Sequence, residues 1–412
     1  MCGIYAMSSK NSFSLTKMYN GLTKLQHRGQ DGFGIASPNC YIREKGKIQN
    51  IIENPKTSMA IGHVRYTTSG NSDDISQMQP LHKNDIFIVH NGNIPSIGKQ
   101  FDTSFLLNLI DVSNNIEENL IFILNNIHSA YCIVVMTPNC MYVIRDRYGI
   151  RPLYYKQTNE TIYIASETCC WESQENVHEV PCGTISKIEE NTIKQIYKHP
   201  DSKESLCSLE LLYMMSEKSM YKNILLSNIR QQLGEIVSTG DNFNTLDYTV
   251  VGIPNSGLPY AMGYANKLGL KHQNFITLST NSRTFITSED YRQNLCHKKF
   301  IFHPELKGKK IILVDDTIIR GTVIKQIIKN LIEIGVKEIH IRIPAPAIID
   351  VNIYGIAIKN KENLLMNKYN MDNVCESLGI NSIKFLSVEQ LKTTGFFPEN
   401  SYMEFFGIPF EK

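Results

Sequence analysis

Two stretches of this chain combine residue types that can do chemistry. Cys2 follows Met1 directly, so removal of Met1 leaves a thiol and a free α-amine on one residue. An unperturbed α-amino group titrates near about 7.7–8.0, close enough to neutrality to take a thiol proton and return it to a leaving group. Nucleophile and base then share a residue. Residues 311–322 read Ile-Ile-Leu-Val-Asp-Asp-Thr-Ile-Ile-Arg-Gly-Thr, an apolar strand ending in two acids, then a short loop that opens a helix from Val323. The N–H groups of such a loop and of the helix start converge on an anion, and the hydroxyls of Thr317 and Thr322 add hydrogen bonds to a phosphate. Asp315 and Asp316 would repel that phosphate unless ribose hydroxyls or a Mg2+ ion engage them.

The elements that must carry these groups differ between the two halves. Up to about residue 200, short β-rich runs (61–66, 86–89, 131–136, 141–145, 161–165) alternate with turn signals, and helical spacing occurs only near 15–26 and 103–112. This predicts an α+β layered sandwich. From about Leu206, helical stretches over 209–221, 223–237 and 258–267 alternate with compact strands at 248–253 and 311–314, the pattern of an α/β unit with a parallel-sheet core. The polar run His199 to Ser205 has linker composition and sets the expected boundary.

Composition narrows the function classes. At 412 residues, two domains are expected; apolar residues at 42% supply their cores. Lys and Arg number 42 against 40 Asp and Glu, so the net charge of +2 offers no footprint for nucleic acid or an anionic membrane. No apolar run approaches the about 20 residues of a membrane span, and the first residues lack a secretory pattern, so a cytoplasmic location is expected. The ten cysteines include no C-x-x-C pair, which points to reduced thiols.

Around Cys2-Gly3-Ile4 the chain carries Gln26-His27-Arg28-Gly29-Gln30-Asp31-Gly32, Gly62-His63-Val64-Arg65-Tyr66, Gln79-Pro80, His90-Asn91-Gly92-Asn93, Tyr148-Gly149-Ile150-Arg151-Pro152-Leu153 and Ala165-Ser166-Glu167. In this order and spacing, residues 1–205 closely resemble the glutaminase domain of the N-terminal-nucleophile (class II) glutamine amidotransferases. The resemblance makes Cys2 the nucleophile and Asn91 and Gly92 the oxyanion donors. It pairs Arg65 with the α-carboxylate of glutamine and Asp102 with its α-ammonium. Taken alone, Arg65 reads as a surface arginine, Asn91-Gly92 as a hairpin turn and Asp102 as a helix cap. Ser104 departs from the family, which usually has an acid there, and weaker ammonium binding is the expected consequence.

The second half, 206–412, strongly resembles the type I phosphoribosyltransferases. In that resemblance Asp315 and Asp316 meet the ribose hydroxyls and Mg2+, while Thr317, Arg320, Gly321 and Thr322 hold the 5-phosphate of phosphoribosyl pyrophosphate. Val251-Gly252-Ile253-Pro254-Asn255-Ser256-Gly257 matches the pyrophosphate loop, with Ser256 also toward Mg2+. Arg283 and Lys298 match cations of a loop, Thr280 to Phe300, that closes over the site. Tyr354-Gly355-Ile356 also matches, but Ala357 stands where an acid is common. Some relatives bind an iron–sulfur cluster; Cys207 matches one ligand, but no cysteine follows Cys375, so no cluster is expected.

A glutaminase joined to a phosphoribosyl pyrophosphate site implies transfer of glutamine-derived ammonia to that substrate, giving 5-phosphoribosylamine, glutamate and pyrophosphate, the opening reaction of purine synthesis. The resemblance also implies a homo-oligomer inhibited by purine nucleotides. Two alternatives stay open at this stage: a catalytically degenerate sensor of phosphoribosyl pyrophosphate or purine nucleotides, and an amidotransferase with another acceptor such as a sugar phosphate.

Overall fold

The computed structural model describes residues 2–49, 55–67, 74–94, 101–110, 115–279, 300–355, 358 and 360–410. Its chain divides into two compact units. The first holds residues 1–220 and takes back Asn352–Ala357 and Pro398–Tyr402; the remainder forms the second. The expected boundary at Ser205 therefore does not coincide with this division. Leu206, Cys207 and Leu209 are buried, and Cys207 bridges to Tyr402, so the chain runs on in the first unit past the polar stretch.

Two antiparallel sheets form the first unit. One orders β11 (Val177–Glu179), β9 (Tyr154–Gln157), β10 (Thr161–Ala165), β1 (Gly3–Ser14), β4 (Lys56–Arg65), β2 (Gly32–Ser37) and β3 (Cys40–Lys45). The other orders β13 (Thr192–Lys198), β12 (Thr184–Glu189), β8 (Met141–Arg145), β7 (Ala130–Met136), β6 (Ile86–Asn93) and β5 (Leu81–Lys83). The two-residue period of a strand explains the layering. On β7, Cys132, Val134 and Met136 join Ile4, Ala6 and Ile61 in one core, whereas Tyr131, Ile133 and Val135 join Leu106, Leu120 and Ile123 in another. The second core lies against helices α2 (Asp102–Leu109) and α3 (Ile116–Asn126). Helix α1 (Thr16–Lys24) covers the outer face of the first sheet; a Cβ on Gly62 would come within 2.7 Å of Leu22. Each fully buried Leu or Ile of these layers contributes about 1.5–3 kcal/mol relative to exposure. The α+β sandwich is as expected.

The second unit has a five-stranded parallel sheet in the order β15 (Lys271–His272), β14 (Tyr248–Gly252), β16 (Lys310–Val314), β17 (Glu338–Ile343) and β18 (Ser382–Phe385). Helices α4 (Leu226–Val237), α5 (Gly257–Leu268) and α6 (Thr322–Ile334) accompany it. Ile311 to Val314 are fully buried, which is why β16 reads as an unbroken apolar run.

The expected helix over 209–221 is cut short at Met214. A five-residue π turn, Glu210–Met214, stands there and the chain becomes extended at Met215. The Ser216 N–H donates to the Glu167 carboxylate at 2.8 Å rather than to a helical carbonyl, so a tertiary bond takes the donor that helix extension needs.

Candidate active site

Cys2 lies just ahead of β1, whose Gly3 pairs with Val64 of β4, and this places it beside Arg65 at the end of β4. Its N–H donates to Asn91 Oδ1 at 3.3 Å and its carbonyl accepts from Arg28 Nε at 2.9 Å. Its Sγ lies 3.7 Å from the Tyr66 carbonyl oxygen.

Asn91 and Gly92 are not a turn. Both lie inside β6, opposite Cys132 and Tyr131 of β7. Strand pairing fixes Asn91, which is 2% exposed, with its Nδ2 buried and unpartnered among the described residues. A buried amide with its acceptor on the Cys2 nitrogen and its donor unused can donate to an oxyanion formed beside it. Gly92 is required by space: a Cβ there would stand 2.3 Å from the Ala130 carbonyl oxygen and 2.5 Å from His90 Nε2.

Arg65 is buried at 3% exposure, unlike a surface arginine. It donates to the Asp74 carbonyl at 3.3 Å and to Gln77 Oε1 at 3.0 Å, and lies 5.8 Å from the Phe101 ring centroid. Burial lowers its pKa, while Cys2, Asp31 and Asp74 pull the other way. Asp102 is the first residue of α2 and not its cap, which is Phe101. Its Oδ2 accepts from the Ile94 N–H at 2.9 Å, tying the helix to the end of β6, and burial raises its pKa. Ser104 lines a separate cavity of about 370 Å3 with Tyr41, Arg43 and Lys83, to which neither Arg65 nor Asp102 contributes.

His63 and His90 are unsuited to act as bases. Burial lowers His63 and His90 to a pKa of about 3, so both are neutral and weakly basic at physiological pH.

Sequence reasoning gave no role to a buried ionic network behind Cys2. Arg28 NH1 donates to Glu167 Oε1 at 2.5 Å, and its fork reaches both oxygens of Glu210 at 3.2 Å. His27 Nε2 lies 2.9 Å from Glu167 Oε1, and Arg151 NH1 lies 3.5 Å from Glu210 Oε1. Burial alone would lower the Arg28 pKa, but the two carboxylates hold it above its ordinary value; burial alone would raise Glu167, but Arg28 and His27 hold it well below. Deleting one partner of such a pair costs about 3–5 kcal/mol. The signal was present in the strings around Arg28, Arg151 and Glu167, whereas nothing in the sequence pointed to Glu210.

In the second unit, the loop after β16 carries Asp315 and Asp316 to the mouth of the sheet. Gly257 brings the two loops together, since a Cβ there would stand 2.6 Å from the Val314 carbonyl oxygen. The Ile253 N–H also donates to that oxygen at 2.9 Å. Asp316 is 4% exposed and accepts from the Thr317 hydroxyl at 2.8 Å. Burial raises its pKa, opposed by hydrogen bonds from Ser256 and Thr317 and by the charge of Arg230. Asp315 is half-buried, and Arg320 and Thr322 are exposed. Gly321, at φ +77°, makes the left-handed turn into α6 and carries the chain onto the helix. Tyr354 and Gly355 belong to the first unit, where the Gly355 carbonyl accepts from Arg151 at 2.5 Å. Arg283, Lys298, Ile356 and Ala357 lie outside the described residues.

Among the described residues no group of three or more His, Cys, Asp or Glu is placed to hold a metal ion. Cys207 is buried, with its thiol pushed up to about 12, chiefly by burial. It lies beside the buried Tyr402.

Fold and site together define a glutaminase of the N-terminal-nucleophile class on the same chain as a phosphoribosyl-type α/β unit. A glutamine amidotransferase domain model matches residues 1–207 and a phosphoribosyl transferase domain model matches 218–354. Amidophosphoribosyltransferase of Methanothermobacter thermautotrophicus is 29% identical, over 94% of this chain and 89% of its own length. The chloroplastic amidophosphoribosyltransferase of Glycine max is 30% identical, over 90% and 71%. The solved Bacillus subtilis glutamine phosphoribosylpyrophosphate amidotransferase, complexed with ADP and GMP, superposes with a TM-score of 0.83 at 28% identity, over 97% of this chain and 93% of that one. The chain belongs to the amidophosphoribosyltransferase family.

Proposed function

We propose that this chain converts L-glutamine, 5-phospho-α-D-ribosyl 1-pyrophosphate and water into 5-phospho-β-D-ribosylamine, glutamate and pyrophosphate. The observation that carries this reading is the presence, on one chain, of a thiol centre with an unused buried amide donor and a strand–diacid–loop–helix anion cradle. With Met1 removed, the Cys2 amine takes the thiol proton and the thiolate attacks the side-chain carbonyl of glutamine. Asn91 Nδ2–H and the Gly92 N–H hold the oxyanion. The C–N bond breaks, the amine returns its proton, ammonia leaves, and water hydrolyses the thioester to glutamate. Arg65 binds the α-carboxylate by its planar fork and Asp102 the α-ammonium.

At the second centre, Thr317, Gly321, Thr322 and Arg320 hold the 5-phosphate, and Asp315 with Asp316 the ribose hydroxyls. Two neighbouring carboxylates, one hydrogen-bonded by Ser256, suit Mg2+, which takes one or two carboxylates alongside substrate phosphates. When bound, Mg2+ supplies charge neutralisation to the departing pyrophosphate; Asp315, Asp316 and Ser256 are the groups that would hold it. Arg283 and Lys298 add positive charge there. Ammonia attacks C1 as the bond to pyrophosphate breaks, and positioning with charge stabilisation provides the catalysis. A cytoplasmic homo-oligomer inhibited by purine nucleotides completes the reading; for nucleotide binding alone, the Bacillus subtilis relative complexed with ADP and GMP is the support.

The test is product stoichiometry with both substrates and Mg2+. Equal yields of glutamate and pyrophosphate are expected, and fructose 6-phosphate should not replace the acceptor. Binding of phosphoribosyl pyrophosphate without release of pyrophosphate would overturn the reading.

A further inference from the structure

We propose that Glu210 is a positioning residue for the Cys2 nucleophile and acts through Arg28; the proposal rests on the glutaminase reading above. The Cys2 backbone is held at both ends, its N–H by Asn91 Oδ1 at 3.3 Å and its carbonyl by Arg28 Nε at 2.9 Å. With both ends fixed, the position of Sγ is left to one side-chain torsion. Arg28 holds that carbonyl only while its own fork is fixed, and Glu210 fixes it with both carboxylate oxygens at 3.2 Å. Arg28 and Glu210 have side-chain exposures of 1% and 0%, so water cannot replace a missing partner.

The position of Glu210 in the chain is informative. It opens the π turn Glu210–Met214, between the two family matches at 1–207 and 218–354, so neither domain pattern accounts for a carboxylate there. The same segment supplies the Ser216 N–H and Ser219 hydroxyl, each 2.8 Å from Glu167 Oε2. Both carboxylates that grip Arg28 are thus set by residues 210–219, the stretch through which the chain leaves the first unit. Replacing Glu210 by an uncharged group removes one of the two carboxylates that grip the buried Arg28, and the fork is free to turn toward Glu167 and away from the Cys2 carbonyl.

The experiment compares the full-length wild type with Glu210→Gln, Glu210→Asp and Arg28→Lys. It measures glutaminase kcat, KM for glutamine, alkylation of Cys2 by iodoacetamide followed by peptide mass spectrometry, and ammonium-dependent pyrophosphate release as a control for folding. Glu210→Gln is expected to lower kcat about 100-fold, the cost of an ångström-scale misplacement, and to leave KM within about twofold. Cys2 alkylation slows with it, ammonium-dependent release holds, and Glu210→Asp recovers part of kcat. If Glu210→Gln fails to fold, Arg28→Lys carries the test: it keeps the charge and loses the fork, and the same fall in kcat at constant KM is expected. A Glu210→Gln or Arg28→Lys protein that folds with kcat near wild type overturns the proposal, as does a loss confined to KM. Absence of glutaminase activity in the wild type would instead reject the underlying reading, and that outcome is read before any variant is compared.

Discussion

The two centres are built in opposite ways. Around Cys2 the groups proposed to act are buried in the absence of substrate: Arg28, Arg65 and Asn91 are each at most 3% exposed, on strands or held by carboxylates. Around Asp315 the groups proposed to meet substrate are carried on loops, with Arg320 and Thr322 open to solvent, Asp315 and Thr317 half-buried, and Asp316 and Gly321 buried. The difference follows from the ligands. A neutral carboxamide brings little charge of its own, so the protein must preset the charge-stabilising groups. Phosphoribosyl pyrophosphate brings its own charges and metal, and exposed loop N–H groups and hydroxyls need only converge on them. Rigidity is concentrated where the substrate cannot supply it.

That contrast can be broken from either side. Asp315→Asn should lower pyrophosphate release by about 10^3-fold with glutamine or with ammonium, the upper end for one preorganised electrostatic contact. Glutaminase activity measured without phosphoribosyl pyrophosphate should stay within about twofold of wild type. A variant that damages both activities equally would mean that the centres are not separately built. Asn91→Ala should cut glutamine-dependent turnover about 100-fold and spare ammonium-dependent turnover. Wild-type turnover in that variant would remove the preset oxyanion donor from the account.

The smallest effect concerns stability. His63 and His90 titrate near about 3 in the folded chain, against an ordinary value of 6.5. Between those values the unfolded chain binds more protons, so their contribution is full above pH 6.5 and is lost as pH falls through the window. Asp146 opposes them: burial raises it to about 6 from an ordinary 3.8, so the native state binds more protons between these values. Two histidines outweigh one carboxyl, and the urea midpoint should fall from pH 6.5 to pH 4. A His63→Gln, His90→Gln double variant should fall less steeply. An unchanged slope would show that these rings are not held neutral by burial.

What the sequence disclosed depended on how local the cause was. The seven strands β4, β6, β7, β8, β10, β14 and β16, helices α1 and α5, and the loop from Asp315 to Thr322 are written in short patterns of burial and turn residues, and they were legible; strands such as β1, β12 and β17 were not. Cys2, Arg65, Asn91, Gly92 and Asp102 were legible as a set through ordered strings, and the fold draws them together at the ends of β4 and β6 and the start of α2. Their local surroundings misled: Asn91-Gly92 reads as a turn, but pairing with β7 draws it into a strand. Glu210 was not legible, because the partner that gives it meaning, Arg28, lies 182 residues away in the chain. For the same reason helical spacing over 209–221 overstated the helix, since spacing cannot register that Ser216 bonds to Glu167. The return of residues 352–357 and 398–402 to the first unit is equally non-local.

The central claim is that ammonia made at Cys2 serves the phosphoribosyl centre. It is tested most directly by pyrophosphate release from phosphoribosyl pyrophosphate and Mg2+, comparing wild type with Cys2→Ala and glutamine with ammonium chloride. The account predicts that wild type uses both nitrogen sources, whereas Cys2→Ala loses about 10^4-fold with glutamine and keeps its rate with ammonium. Glutamine-dependent release that survives Cys2→Ala, or a wild type that uses ammonium but never glutamine, would contradict it.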